Sequence, residues 1–165
     1  MIDGMSLAIL DLLQNDARIS NAEIGRRVGL APSAVFERIR KLEERGALKG
    51  YTASIDPEAV DRGLLAFVLV RSEERGGARQ TEAALVAMPE VQEVHHVAGE
   101  DCFLLKVRVR DTTALNDLLS DRIGELDGVR STKTTIVLRT AKETSTIPIA
   151  GADAARSSEA GDDVR

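Results

Sequence analysis

The chain has 165 residues, of which 43% are hydrophobic, and it carries a formal net charge of −5. This length allows one large or two small domains, but three phenylalanines and one tyrosine are too few for a protein that stacks single-stranded bases on aromatic side chains. We find neither a transmembrane stretch of about 20 apolar residues nor a signal peptide, and a single cysteine cannot form an internal disulfide, so we expect a cytoplasmic protein without membrane contact.

Two helices joined by a glycine turn are predicted to follow a first amphipathic helix over residues 6–15. Ser20 and Glu23 have the spacing of a capping box, in which each residue bonds to the backbone or side chain of the other. An apolar stripe follows at helical spacing. Gly29 comes directly after this stripe, where a left-handed residue ends a helix without steric cost.

The third predicted helix begins at Pro32, whose missing N–H does no harm in a first turn. Val35, Ile39 and Leu42 are spaced four and three residues apart and therefore predict one buried face. The other side of the helix carries the cations Arg38, Lys41 and Arg45, with Arg40 at its edge.

Two close helices of this kind are typical of a helix-turn-helix, whose second helix enters the major groove of DNA. Small side chains at the start of that helix can approach base edges, while arginine suits guanine and lysine suits phosphate. The alternative is a solvated face of intrahelical ion pairs, because Glu37, Glu43 and Glu44 alternate with the cations. The predicted DNA contacts are Ser33, Ala34, Arg38, Arg40 and Lys41.

Positive charge is local and modest, since residues 1–50 carry a net charge of +1 in an acidic chain. Phosphate neutralisation supplies most non-specific affinity for DNA. We therefore expect weak binding per monomer and several DNA-binding units per complex. Residues 47–56 are predicted to form a short strand that resembles the wing of a winged helix.

The second half of the chain alternates between strands and helices in the order βαββαβ, which is the ferredoxin-like motif. Apolar runs or alternation predict strands over 64–71, 92–99, 103–109 and 129–139. Helices are predicted over 80–88 and after Asp111, which can cap a helix containing Leu115, Leu118, Leu119 and Ile123. The fold class is therefore α+β, with a helix-turn-helix domain followed by a ferredoxin-like domain.

One face of such a sheet stays bare unless another subunit covers it. On the third strand, Phe103, Leu105, Val107 and Val109 share one face, and Leu104 and Lys106 share the other. An apolar sheet face of this size predicts dimerisation.

The stretch from LDLLQNDARIS to LLAFVLV, continued by GEDCFLLKVRVRD and VLRTAKE, resembles the Lrp/AsnC family of transcriptional regulators over about residues 3–143. The resemblance implies double-stranded DNA as a partner, dimers through the second domain that assemble further, and a small effector, commonly an amino acid, bound between subunits. It also implies that a loop with the pattern Gly-x-x-Asp-aromatic borders the effector site.

That loop here reads Gly99-Glu100-Asp101-Cys102-Phe103, so the glycine and the aromatic residue match while a cysteine stands at the aspartate position. Asp101 comes one residue early, and a shift of one residue turns a side chain to the other sheet face. An amino-acid effector stays plausible, while the change at its usual carboxylate partner makes a less polar effector, or none, more plausible. The candidate effector residues are Ala98, Gly99, Glu100, Asp101 and Cys102, together with Thr132, Thr134 and Ile136 of the last strand, for which plain surface or interface packing is an equal alternative.

Other features carry weaker signals. His95 and His96 point to opposite faces of a strand and do not predict a metal site, and Cys102 is typical of an inert core residue rather than a redox sensor. No catalytic motif is found, so we expect neither an enzyme nor a cofactor. The rival hypothesis is a small-molecule-binding or catalytic ferredoxin-like protein whose N-terminal helices mediate protein contacts.

The predicted organisation has four parts. It comprises a helix-turn-helix domain over 1–50, a linking strand and hinge over 51–62, and an effector-binding and oligomerisation domain over 63–147. The acidic tail over 148–165 is expected to be disordered, or else to pack only against a partner.

Overall fold

The computed structural model of the chain describes residues 2–73, 79–99 and 103–150. These residues form two compact units, a helical unit of residues 2–54 and 143–150 and a sheet unit of residues 55–142. Each unit has its own buried apolar core. Across the described residues, no helix is both long enough and apolar enough to cross a membrane.

The helical unit contains three helices, α1 (Gly4–Asn15), α2 (Asn21–Val28) and α3 (Pro32–Glu44). The Asp3 side chain caps α1 by accepting a hydrogen bond of 2.8 Å from the Ser6 N–H. The buried side chains of this core are Ile9, Leu13, Ile24, Val35, Ile39 and Leu42. The last three confirm the buried face that the spacing along α3 predicted.

The turn between α2 and α3 confirms the predicted helix boundaries. The Ser20 hydroxyl accepts from the Glu23 N–H at 3.1 Å, and Gly29 ends α2 in the left-handed conformation with a φ of 70°. Ala31 stands at the N-cap of α3 without a side-chain hydrogen bond, and Pro32 opens the helix. The helix therefore begins through proline geometry rather than through a cap.

The strand predicted over 47–56 is wrong, because the backbone there is irregular and leads only to a short 3₁₀ turn, Glu58–Val60. A strand is stable only when its N–H and C=O groups pair with a neighbouring strand. Each strand that the structure describes, by contrast, pairs with at least one neighbour in a single sheet.

The sheet unit confirms the predicted βαββαβ order. Its elements are β1 (Leu64–Ser72), α4 (Arg79–Val86), β2 (Val91–His96), β3 (Phe103–Val109), α5 (Thr112–Asp117), which continues as a π-helical segment (Leu118–Ile123), and β4 (Val129–Ile136). As predicted, Asp111 caps α5, its carboxylate accepting from the Ala114 N–H at 2.9 Å.

The four strands are antiparallel and lie in the order β2-β3-β1-β4. Leu85, Leu115 and Leu118 from the helical segments pack on one face of the sheet, against buried side chains of β1 and β3. The alternation predicted for β3 is confirmed, since Phe103, Leu105, Val107 and Val109 are buried while the residues between them are half-buried. We call the opposite face the open face; its central residues are Phe67, Leu69, Leu104 and Lys106.

Candidate functional site

Helix α3 is held close to α2 by a glycine that the sequence analysis did not single out. Gly25 is buried in α2, and a Cβ atom there would lie 2.4 Å from the carbonyl oxygen of Leu30. The Leu30 N–H in turn donates to the Gly25 carbonyl at 2.9 Å. A glycine inside an amphipathic helix was the available signal. The backbone of the turn can reach α2 this closely only because Gly25 has no side chain.

The first turn of α3 is open to solvent, as the helix-turn-helix hypothesis requires. Ser33 is exposed and Ala34 is half-buried. Neither side chain is large, so another molecule could approach the helix backbone at this end. Phe36, one turn further along, exposes 55% of its surface, which is unusual for the largest apolar residue of a helix.

The sequence placed Arg38 on the charged side of α3, free to contact DNA, but the structure shows its guanidinium bonded to α1. Its Nη1 atom donates to Asp3 Oδ1 and Oδ2 at 3.0 and 2.8 Å and to the Ser6 hydroxyl at 3.1 Å. The guanidinium thereby joins α3 to the start of α1. The Ser6 N–H and then the Arg38 guanidinium lower the pKa of Asp3 from 3.8 to about 2, because both stabilise the charged carboxylate.

Arg40 takes part in the intrahelical ion pairs that were the alternative interpretation of this face. Its guanidinium donates to Glu37 Oε2 at 3.0 Å and to the Glu44 carboxylate. Glu37 and then Glu44 raise the pKa of Arg40. All three side chains remain about half exposed, so these bonds can be exchanged at low cost.

Lys41 and Arg45 are exposed on α3, and neither makes an ion pair with another described residue. Two further arginines lie on α2, where Glu23 Oε1 accepts from Arg26 at 2.9 Å and from Arg27 at 2.7 Å. These charge-assisted bonds replace the expected return bond from Glu23 to Ser20. Arg26 and then Arg27 lower the pKa of Glu23 from 4.5 to about 2.

The predicted effector residues are described only in part. Ala98 and Gly99 follow β2, and Gly99 has a φ of 136°, a conformation that favours glycine. On β4, Thr132 is exposed, Thr134 is half-buried and Ile136 exposes 43% of its surface. Glu100, Asp101 and Cys102 lie outside the described residues.

Strand order separates these two groups within one chain. The loop after β2 lies at one edge of the sheet and β4 forms the other edge, with β3 and β1 between them. Three strand spacings of about 4.8 Å amount to roughly 14 Å. One small ligand therefore cannot contact Gly99 and Thr134 of the same chain. Residues from both groups meet at one ligand only if a second copy supplies one of the groups.

The two histidines confirm the prediction of opposite faces. His95 Nε2 lies 3.1 Å from Glu93 Oε2, and Lys106 Nζ lies 3.3 Å from the other oxygen of that carboxylate, on the open face. The His96 ring lies against Phe103, with 5.2 Å between the ring centres. Within the described parts of the chain, no cluster of side chains is suited to holding a metal ion.

Comparison with known proteins identifies both halves of the chain. Residues 2–43 match the AsnC-type helix-turn-helix domain, and residues 65–147 match the Lrp/AsnC ligand binding domain. The chain is 41% identical over 148 residues to the HTH-type transcriptional regulator FL11 of Pyrococcus horikoshii, which covers 90% of this chain and 97% of that protein. It is 40% identical over 151 residues to the leucine-responsive regulatory protein of Salmonella typhimurium, which covers 90% and 92%.

Solved structures show the same architecture. A transcriptional regulator of Neisseria meningitidis in complex with L-Met matches with a TM-score of 0.86 and 31% identity, over 91% of this chain and 98% of that one. A feast or famine regulatory protein of M. tuberculosis complexed with L-methionine matches with a TM-score of 0.82 and 37% identity, over 89% and 99%.

Proposed function

Because the chain belongs to the Lrp/AsnC family of DNA-binding transcriptional regulators, we propose that α3 is its recognition helix and that the sheet unit couples a small effector to DNA binding. The observation that carries this proposal is the open first turn of α3, followed by exposed cations on the same helix. The family consists of regulators and not of enzymes. The rival catalytic hypothesis is therefore not favoured.

Each predicted DNA contact has a distinct role in this proposal. Ser33 and Ala34 approach base edges, Lys41 binds phosphate, and Arg40 exchanges its glutamate partners for DNA. Arg38 can keep Nη1 on Asp3 and offer its remaining N–H groups to DNA, since a guanidinium has five donors. This is how the helix-turn-helix domain predicted over residues 1–50 would read DNA.

Salt titration of binding to random duplex DNA tests the phosphate contact. Replacing Lys41→Ala should reduce the slope of log affinity against log salt by about 0.9, the value for one lost phosphate contact. The matched control is Lys142→Ala, an exposed lysine of the sheet unit, which should leave the slope unchanged. Arg38→Ala with Lys41→Ala should weaken binding about tenfold or more, and unchanged affinity in this double variant would show that the recognition assignment is wrong.

We propose an amino acid as the effector, with L-methionine as the first to test because it is bound to two structural relatives. The strand order places the two candidate groups at opposite edges of the sheet. The site is therefore proposed to combine Ala98, Gly99, Glu100, Asp101 and Cys102 of one subunit with Thr132, Thr134 and Ile136 of another.

Thermal unfolding against a panel of amino acids tests this site. A true ligand at 100 times its Kd stabilises the fold by about 2.7 kcal/mol. The variant Thr134→Val removes one hydroxyl at similar volume and should reduce the shift, whereas Thr113→Val on α5 should not. A panel in which no amino acid raises the unfolding temperature would remove the effector from the proposal and leave DNA binding intact.

We further propose that two copies associate through the open face of the sheet and assemble further, as Lrp/AsnC regulators oligomerise. Phe67, Leu69 and Leu104 supply apolar area there, and the pair of Glu93 with Lys106 supplies polar contacts. Two recognition helices could then bind half-sites about one helical turn apart, roughly 34 Å, or a multiple of it. The proposed location is the cytoplasm, because the chain belongs to a family of DNA-binding regulators.

A further inference from the structure

Helix α1 contacts residues near the C-terminal end of the described chain, at the boundary between the predicted effector domain and the predicted tail. Residues 145–149 belong to the helical unit and lie along α1. The Gln14 Nε2 atom donates to the Ile147 carbonyl at 3.0 Å, and the Ile147 N–H donates to Gln14 Oε1 at 3.0 Å. One side-chain amide thus satisfies both backbone groups of Ile147, as a neighbouring strand would.

The orientation of the Gln14 amide is set from within α1. Gln14 Nε2 also donates to Asp11 Oδ1 at 3.1 Å, and Asp11 is buried. An amide NH₂ group donates and an amide oxygen accepts, so the NH₂ group faces Asp11 Oδ1 and Oε1 faces the N–H of Ile147. The amide is therefore arranged in advance to bind an extended backbone.

The C-terminal segment has the matching local structure. Pro148 restricts the preceding Ile147 to an extended conformation, in which its N–H and C=O are both available. Ile149 is half-buried and borders a cavity of about 360 Å³ on α1 and the segment after α3. The apolar walls of that cavity are Leu7, Leu10, Leu13, Ala47 and Leu48, with Tyr51 at the side.

We propose that the face of α1 around Gln14 is a docking site for an extended peptide, and that its occupant is the segment 145–149 of the same chain. For Pro148 and Ile149, this proposal replaces the expectation that the tail over 148–165 is disordered or packs only against a partner. The chain enters the sheet unit after Ser54 and leaves it after Lys142, so docking attaches the helical unit at both of its ends. Two attachments leave a domain fewer orientations than one does, and docking thereby restrains the recognition helix.

Hydrogen exchange of the full-length protein tests the docking itself. The Ile147 amide should exchange on the order of tenfold more slowly than an unbonded amide, because two hydrogen bonds must open. Gln14→Ala should abolish this protection. Gln14→Glu should reduce it less than Gln14→Ala does, since a carboxylate can still accept from the Ile147 N–H but cannot donate to the Ile147 carbonyl or to Asp11. Gln80→Ala, the same change on the exposed surface of α4, is the matched control and should preserve protection.

Two results would overturn the docking proposal. One is an Ile147 amide that exchanges at the same rate in the unchanged protein and in Gln14→Ala. The other is protection that disappears on dilution to monomer, which would assign the occupant to a second copy. Far-ultraviolet circular dichroism of each variant separates loss of docking from unfolding. Gln14→Ala should not unfold α1, because alanine favours a helix more than glutamine does.

Binding to DNA with variable half-site spacing tests the restraint, which rests on the proposed DNA-binding function. Gln14→Ala and Ile149→Asp should each flatten the dependence of affinity on spacing and leave the affinity for a single half-site unchanged. A spacing profile equal to that of the unchanged protein would overturn the restraint. If the unchanged protein does not bind a single half-site, that result would instead count against the proposed DNA-binding function.

Discussion

The helical unit and the sheet unit hold their predicted functional residues in different ways. On α3, the candidate DNA contacts follow one another within three helical turns, and the two arginines among them, Arg38 and Arg40, bond to partners on α1 or a few residues away. In the sheet unit, the described candidate effector residues lie at opposite edges of the sheet, Ala98 and Gly99 after β2 and the other three on β4. A local motif can therefore be assembled by one chain, whereas the proposed ligand site would require strand pairing between distant segments and a second copy of the chain.

The largest loss of stability should follow a substitution at Gly25, where α2 and the turn before α3 come into close contact. We expect Gly25→Ala to destabilise the helical unit by about 3 kcal/mol, because the new Cβ would clash with the backbone carbonyl of Leu30. Hydrogen exchange of amides in α2 and α3 during denaturant titration would measure it. Gly4→Ala, where a Cβ meets no atom within 4 Å, should change stability by less than about 0.5 kcal/mol. Equal effects of the two changes would contradict the close approach.

A charge introduced on the open face should weaken association between copies of the chain and leave the sheet unit folded. Phe67→Asp places a carboxylate in the proposed interface and should weaken association by about 2 kcal/mol, roughly thirtyfold. Sedimentation at several concentrations would measure this change. The matched control is Val86→Asp on α4, where the valine side chain is 63% exposed. This change should leave the mass of the oligomer unchanged. An oligomer that survives Phe67→Asp would place the interface elsewhere.

Glutamates on α3 should limit DNA affinity. Glu37→Gln combined with Glu44→Gln releases Arg40 and removes two negative charges beside the proposed phosphate contacts. We expect affinity to rise about threefold to tenfold, measured by fluorescence anisotropy at constant salt. Glu82→Gln on α4 is the matched control. Weaker binding would indicate that the glutamates position Arg40 rather than compete for it.

Acid should produce the smallest effect, and only in the helical unit. The pKa values of Asp3 and Glu23 are lowered to about 2 from 3.8 and 4.5, so both carboxylates stabilise the fold above those ordinary values. This stabilisation is lost as the pH falls through the folded pKa. The difference in unfolding temperature between the unchanged protein and Asp3→Asn or Glu23→Gln should therefore shrink between about pH 4.5 and pH 2. A constant difference across this range would contradict the ion pairs.

Most elements of the fold could be predicted from local patterns. The spacing of Val35, Ile39 and Leu42, the cap at Ser20 and the left-handed Gly29 each depend on a few neighbouring residues. The alternation along β3 placed Leu105 and Leu104 on opposite faces, as the structure confirms. The strand over 47–56 failed for the opposite reason, because alternation does not supply a pairing partner.

The candidate site was predicted less completely. Exposed cations on α3 followed from helical spacing, but the bond from Arg38 to Asp3 joins residues 35 positions apart. The bond from Gln14 to Ile147 spans 133 positions, and no periodic pattern connects such residues. The position of Gly25 in the sequence likewise did not reveal that the Leu30 carbonyl oxygen packs against it.

The sequence by itself determined the helices, the strand order along the chain, the family resemblance and the face of α3 that carries charge, because these depend on spacing along the backbone. Only the tertiary structure decided that Arg38 is held by Asp3, that the C-terminal segment lies on α1, and that Gly99 and Thr134 occupy opposite sheet edges. These features depend on which distant segments meet in space. Such contacts between distant segments are determined by the packing and strand pairing of the whole chain. They are not determined by the residues next to them in the sequence.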